Sequence, residues 1–487
     1  MNMIFGVKDR PKFGQTILFA IQQLLAIMAA TLVVPVITNG ATGSTLSPAA
    51  ALFGAGVGTL VYLLFTKFRS PVFLGSSFAF LGSMAAAFAG GVSMTLGYAG
   101  LILGAVFAGF VYVIIAAAVK VAGVKWLDRL MPVVVIGPTV SIIGLSLAGN
   151  AVSDLVKGSV VNAEGAAVAS PLITVLCGLV ALLVTMLCST YGKKMVRLIP
   201  FILGILAGYA VAAVFTLIGN ATATDALKVL DFSKLSVLWE NGVTLKTFVN
   251  YELVTKDFVF LKAAKGFAEL NWGYVGAIAV AYVPVAFVVF AEHIADHKNI
   301  SSIIGKDLLK DPGLSRTLLG DGLATTMAGL LGGPANTTYG ENTGVLALSK
   351  IYDPLVIRIA AVLAIILSFS PKFEAVINTI PTGIIGGISF VLYGMISAIG
   401  VRNVVENRVD FTNSRNLIVA AVILVCALGF NSVGGVSFAI AGVNINLSGL
   451  AIAAIAGILL NAILPGNDYE FDAADGSEAA SSSNLQV

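Results

Sequence analysis

Apolar runs long enough to cross a bilayer recur along this chain, about fourteen times, separated by polar or Gly/Pro-rich breaks. Few folds accept such runs, because lipid offers a backbone N–H or C=O no partner outside its own element. Charge is scarce to match. Of 487 residues, 58% are hydrophobic and 11% charged, where a soluble globular protein carries about 25% charged residues. A polar surface for a water-soluble body of this size cannot be assembled, so soluble enzymes, nucleic-acid binders, secreted scaffolds and disordered proteins are excluded. The expected class is an all-α polytopic membrane protein. Its 52 glycines suit close helix approach, and the net charge of +3 implies no anionic partner. Cys177, Cys188 and Cys426 all lie in apolar stretches and form no disulfide framework or metal cluster.

The spans are expected near 15–38, 47–66, 71–90, 97–119, 130–150, 168–189, 198–219, 273–295, 317–332, 335–349, 354–371, 379–400, 416–432 and 447–464. Lys8, Asp9, Arg10 and Lys12 precede the first, with no cleavage site after it, so this start does not read as a signal peptide. With residues 1–14 inside, most Lys and Arg fall on inside segments, and the short outside loops hold only Lys157 and Lys372. The positive-inside rule then places both termini in the cytoplasm. The segment 220–271 is the one sizeable polar loop between spans, expected outside, with apolar stretches such as Phe248–Leu261. The tail 465–487 carries Asp468, Glu470, Asp472, Asp475 and Glu478 before a serine run, and reads as a solvated, disordered end.

Seven spans precede that loop and seven follow it. An odd number per half inverts the second half against the first, the pattern of an inverted-topology repeat. Met131-Pro132 leads to Gly137 with the spacing by which Ile380-Pro381 leads to Gly386. The third span (Ser70-Pro71 to Phe80) and its counterpart, the tenth (Gly333-Pro334 to Gly344), are both broken by Gly, Pro and polar residues beside a short β-favouring stretch. Non-helical backbone survives at membrane depth only where protein buries it or a cavity uses it. Matched broken spans are the best sequence pointer to a transporter's site.

Four acids are expected within the membrane: Glu292, Asp296, Asp321 and Glu341. A charge there costs roughly 2.5–3.5 kcal/mol on insertion scales, so each is a functional candidate. Glu292 and Asp296 are four apart and share a helix face. A buried carboxyl exchanges a proton readily and, when neutral, both donates and accepts. That suits Glu292 and Glu341 to a small planar ligand rich in N–H and C=O groups, and to proton coupling. Two readings stay open for Asp296, a functional carboxyl or a solvated helix end, and two for Asp321, a functional carboxyl or a bond to local backbone. His293 reads as a packing residue and His297 as a residue at the cytoplasmic helix end, since H-E-x-x-H is absent and no metal or other cofactor is implied. Phe78 is placed to stack on a planar base, while Ser389 and Tyr393 line a moving face or simply pack.

At these residues the chain resembles the nucleobase/ascorbate transporter family. Glu341-Asn342-Thr343-Gly344 to Ser349-Lys350 is similar to that family's signature, with Ser349 for the usual Thr. Ala291-Glu292-His293, Gly75-Ser76-Ser77-Phe78-Ala79-Phe80, Lys306 to Leu314 and Asn336 to Asn342 resemble the bacterial uracil permease branch. The resemblance implies fourteen spans in two intertwined inverted repeats, with a core domain (15–122 and 272–372) and a gate domain (126–219 and 373–464). Strands in the third and tenth spans would hold the base. Glu292 and Glu341 would bond it, and Phe78, Tyr339 and Gly340 would stack or offer backbone amides. Ser389 and Tyr393 would face it from the gate, and Glu292, Asp296, Glu341 and Asp321 would carry the proton. The implied function is proton-coupled uracil uptake across the plasma membrane, with no enzymatic activity and a homodimer through the gate domains. Two departures point elsewhere. Asp296 stands where uracil permeases can have His, and Gln22-Gln23 where many members have Gln-His, so a purine (xanthine or uric acid) symporter is the alternative. An anion transporter of the same fold would want central cations rather than two glutamates.

Overall fold

The computed structural model describes residues 5–7, 9–160, 167–193, 195–233, 249, 251–440 and 443–466. The acidic tail and much of the polar loop lie outside the described residues. The first half runs α1 (Phe13–Thr42), α2 (Pro48–Phe65), β1 (Leu74–Ser76), α3 (Leu81–Ala87), α4 (Met94–Ala122), α5 (Lys125–Leu130), α6 (Val133–Ser146), α7 (Ala148–Val156), α8 (Pro171–Tyr191), α9 (Met195–Leu198) and α10 (Pro200–Ala221). After short turns and α11 (Val259–Lys262) come α12 (Trp272–Ile304), α13 (Leu314–Leu331), β2 (Asn336–Thr338), α14 (Gly340–Ser349), α15 (Pro354–Ser368), α16 (Pro371–Asn378), α17 (Thr382–Glu406), α18 (Ser414–Ser432), β3 (Val436–Ile440), β4 (Val443–Leu447) and α19 (Gly449–Ile463). Among the described residues nine helices are long and apolar enough to cross a bilayer, or ten if α15 and α16, bent by 82°, form one span.

Helix starts are written locally. Pro48, Pro171, Pro200, Pro354 and Pro371 each open a helix, where a missing N–H costs nothing. Asn271 Oδ1 accepts from Tyr274 N at 2.8 Å to cap α12, which ends on Gly305 in the left-handed region, φ 66°. The two prolines of the repeated spacing, Pro132 and Pro381, are both extended caps ahead of α6 and α17.

Two groups of helices pack mainly among themselves. In one, α13 lies against α2 and α4, α15 against α1 and α2, and α12 against α4. In the other, α17 packs on α6, α7 and α8, α10 on α8, and α18 on α6 and α19. Close approach there rests on small residues. A methyl on Gly144 would strike the Tyr393 carbonyl, and one on Gly387 the Gly178 backbone. α12 touches both groups through α6 and α19.

The strands β1 and β2 pair antiparallel, with Gly75 opposite Thr337. Their backbone polar groups are satisfied at both ends of the ladder. Ser77 N donates to Ala335 O at 2.9 Å and Tyr339 N to Phe73 O at 3.2 Å. Outside the ladder, Thr59 Oγ1 receives Leu74 N at 3.0 Å, and Thr325 Oγ1 donates to Asn336 O at 2.9 Å. Threonines of α2 and α13 thus block the edges that would otherwise be open at this depth.

Two expectations are corrected. The run ending near 150 continues through α7, so Asp154 is on a helix and not in a loop. His297 is not at a helix end, because α12 continues through polar residues to Ile304 and buries it completely. A hairpin, β3–β4, which the sequence reading did not foresee, stands before α19.

Candidate functional site

A cavity lies where the β1–β2 ladder meets α12, facing α6 and α17. Its polar wall is built by the two broken segments and one helix. Phe78 follows β1, Thr337 and Thr338 end β2, Gly340 opens α14, and Glu292 and Asp296 come from α12. The opposite wall is apolar, from Val140 and Ile143 on α6 and from Met395, Ile396 and Ile399 on α17. Such a surface offers polar groups along one edge of a flat ligand and dispersion contacts along the other.

The four-residue spacing brings Glu292 and Asp296 to one cavity, as expected. Each meets a β2 threonine: Thr337 Oγ1 donates to Glu292 Oε2 at 3.4 Å, and Thr338 Oγ1 to Asp296 Oδ2 at 2.6 Å. Asp296 is buried, so the solvated-end reading falls. Successive strand residues point to opposite faces in a regular strand. Here the end of β2 turns into α14, and both hydroxyls reach α12.

Tyr339 lines the cavity, but its polar groups are engaged elsewhere. Its amide donates to Phe73 O, and its hydroxyl donates to Ser76 O at 2.8 Å. It braces one strand to the other. Gly340 is the first residue of α14, where amides lack an intrahelical acceptor. A methyl on it would lie 2.7 Å from Ile399 Cδ1, so the two walls touch here. Glu341 is the second residue of α14 by its backbone, and its side chain lies outside the described residues.

Phe78 meets the other wall edge-on, its ring centroid 5.4 Å from that of Tyr393 at 79°. Ser389 is buried one turn before Tyr393 on α17 and does not line the cavity. Asp321 is not in the cavity either. It is fully buried behind α12, its Oδ2 2.7 Å from His293 Nδ1, so it binds a side chain rather than local backbone. His293 does more than pack, since its Nε2 lies 3.0 Å from Thr317 Oγ1. Sequence reasoning passed over Thr337, Thr338 and the five apolar residues of the far wall. The threonines carried a signal, two hydroxyls in a broken span, whereas the apolar residues stand among others like them.

The family model Xan_ur_permease, described as "Permease family", matches residues 14–435. The chain is 37% identical over 465 residues to the uracil permease of Bacillus caldolyticus, covering 95% of each chain. It is 36% identical to that of Bacillus subtilis (strain 168), covering 94% of this chain and 95% of the other, and 35% identical to that of Escherichia coli (strain K12), covering 94% and 93%. Among solved structures, the transmembrane domain of the cyanobacterial bicarbonate transporter BicA aligns with a TM-score of 0.53 at 14% identity, covering 92% of this chain and 98% of that one. SLC26A9 aligns with a TM-score of 0.53 at 11% identity, covering 93% and 66%. At such identities these two show a shared fold alone.

Proposed function

The chain belongs to the permease family whose model spans its residues 14–435, and on that premise we propose that it carries uracil together with a proton across the plasma membrane by alternating access. The relatives named uracil permease support the substrate. The observation that carries the reading is the cavity with Glu292 and Asp296, each held by a β2 threonine, on one wall and apolar side chains on the other. A carboxyl can accept from a ring N–H of uracil and, once protonated, donate to a ring carbonyl. One protonated carboxyl therefore completes the hydrogen-bond set that a pyrimidine offers, which ties substrate to proton.

The proposed architecture is fourteen spans in two inverted repeats, both termini cytoplasmic. The core (15–122 and 272–372) moves against the gate (126–219 and 373–464). The two packing groups of helices, the paired strand–helix units β1–α3 and β2–α14, and the twin caps Pro132 and Pro381 support it. The cavity lies between the groups, so sliding them exposes it to one side or the other. A proton moving down 100 mV supplies roughly 2.3 kcal/mol, against the approximately 8.2 kcal/mol of a micromolar affinity. Glu341, opening the family signature on α14, is assigned to the base as well.

Uptake of radiolabelled uracil, with xanthine and sulfate as competitors and with an uncoupler, tests this. Saturable, uncoupler-sensitive uracil uptake is expected. Uptake of xanthine in place of uracil would sink the substrate, and indifference to the uncoupler would sink the coupling. Glu341→Ala should lose uracil binding, and wild-type affinity in that variant would remove Glu341 from the site.

A further inference from the structure

The helix that carries Glu292 and Asp296 carries the chain's two histidines one residue later, also four apart, and both are completely buried. Their surroundings are chemically specific. His293 Nδ1 lies 2.7 Å from Asp321 Oδ2, and its Nε2 lies 3.0 Å from Thr317 Oγ1. The Thr317 hydroxyl is also 3.0 Å from Leu314 O, so it can donate there and accept from a protonated Nε2, or turn and donate to a bare Nε2. His297 stacks on His293 with ring centroids 4.0 Å apart, donates from Nδ1 to His293 O at 2.7 Å, and has Nε2 2.6 Å from the Tyr62 hydroxyl. Asp321 Oδ1 is buried without a hydrogen-bond partner among the described residues.

We propose that His293, Asp321 and Thr317 form a proton-binding site of the transport cycle, separate from the cavity carboxylates; this rests on the proton-coupled reading above. In the loaded state His293 is an imidazolium, Nδ1–H donates to the Asp321 carboxylate, and Nε2–H donates to Thr317. The group is then neutral overall. Release of the Nε2 proton leaves one negative charge. The Thr317 hydroxyl turns from Leu314 O to donate to the bare Nε2, and Nδ1–H stays on the carboxylate. One proton is taken up and one released, always at Nε2, and no heavy atom has to move. A hydroxyl with two acceptors in reach makes both states hydrogen-bonded, which a buried ionisable group requires.

The neighbours fit one charge and no more. Two stacked imidazoliums would repel, so His297 stays neutral and orients the His293 ring. Facing the pair are Tyr112 from α4, with its ring 6.1 Å from that of His293, and Tyr62 from α2, while Glu292 and Asp296 lie on the neighbouring stripe of α12 itself. Of the other elements packed on α12, α3, α6, α19, β2 and β4 contain no ionisable side chain, and α14 contributes Glu341. Lys120 on α4 and Arg316 on α13 are exposed.

The test uses the full chain in proteoliposomes and two measurements: uracil exchange at equal pH, which needs no net proton movement, and accumulation driven by a pH gradient. Asp321→Asn keeps a hydrogen bond to His293 but cannot hold an imidazolium. Exchange should stay within about threefold of wild type while accumulation falls about tenfold or more, the scale of a coupling free energy. The dependence of accumulation on pH should flatten. His293→Gln is read by the same criterion and decides the matter if Asp321→Asn misfolds. Wild-type accumulation and pH profile in either folded variant would overturn the proposal. So would loss of exchange together with accumulation in both, since that marks a packing role. Failure of the wild-type chain to move uracil at all would instead overturn the functional reading.

Discussion

A single methyl group on Gly75 should disable the strand crossing. Gly75 sits at the centre of β1, opposite Thr337, with the Tyr339 ring lying directly over its Cα. In Gly75→Ala the methyl would overlap that ring and stand 2.8 Å from Thr31 Oγ1. The ring cannot tip toward Thr31, whose hydroxyl is already 3.3 Å from the Tyr339 OH. It must swing outward and lose the 2.8 Å hydrogen bond to Ser76 O. Overpacking costs about 1–3 kcal/mol, and the stranded buried carbonyl costs about 1–3 more. The expected loss is therefore about 2–6 kcal/mol. Tyr339 leads into α14, so the displaced backbone also shifts Thr337 and Thr338 away from Glu292 and Asp296.

Unfolding in mixed micelles measures the stability, and labelled-uracil uptake measures the site. A double-mutant cycle identifies the cause. Tyr339→Ala alone leaves a cavity worth about 3–5 kcal/mol, but adding Gly75→Ala to it should then cost less than about 0.5 kcal/mol, because the clash is gone. If Gly75→Ala is as stable as wild type, or costs the same with Tyr339 removed, the ring is not what requires glycine here and the reasoning fails.

Three further outcomes follow from the same geometry. Thr338→Val removes the 2.6 Å hydrogen bond to Asp296, a charge-assisted contact worth about 1.5–3 kcal/mol. Calorimetric uracil affinity should fall about tenfold or more, and Thr338→Ser should restore it. Tyr62→Phe takes the hydroxyl from between His297 Nε2 at 2.6 Å and Ser70 Oγ at 2.8 Å. It should cost about 1–3 kcal/mol, while Tyr62→Phe with Ser70→Ala should cost little more than Tyr62→Phe, a non-additivity that independent side chains would not show. Asp311 is held below its ordinary value of 3.8 by hydrogen bonds from Lys306 and then Arg69. A depressed carboxyl stabilises the fold above its unfolded value and loses that contribution as pH falls through the lowered one. Apparent melting temperature should thus fall more steeply below about pH 4 in the wild type than in Asp311→Asn, with the difference shrinking in high salt because the pair is exposed.

Most spans were legible because lipid enforces contrast. An apolar run ends where polar residues begin, and Pro or a capping residue marks the next start. The broken spans were legible for the same reason, through Pro71, Pro334 and the polar run Asn336 to Tyr339. What contrast does not mark went unread. Asp154 looked like a loop acid because Asn150 ends the apolar run, yet α7 carries the helix on to Val156. His297 looked terminal for a similar reason. Hydropathy stops near 295, whereas the backbone hydrogen-bond ladder runs on through Lys298 and Asn299 until Gly305 can turn. The hairpin was visible in the alternation Val443-Asn444-Ile445-Asn446-Leu447, but a window that averages hydropathy erases alternation. The far wall of the cavity, Ile396 and Ile399 among many isoleucines, becomes visible only when helices pack.

The period of α12 sets how its carboxylates and its histidines are arranged. Residues four apart share a stripe, and residues one apart lie about 100° around the helix. Glu292 and Asp296 therefore form the stripe that meets β2 and the cavity, while His293 and His297 form a second stripe that meets α2 and α13. The first stripe faces the boundary between the two helix groups, where contacts must change if those groups slide. The second faces within one group, toward neighbours that travel with it. On the proposed reading, a proton held on the second stripe would ride with the carboxylates without being exposed at the sliding surface, one residue from the side chain proposed to meet the substrate. Rotation or translation of α12 moves both stripes together. The single-residue offset between the two pairs thus puts two carboxyls at the cavity and two buried histidines within one helix group at the same depth.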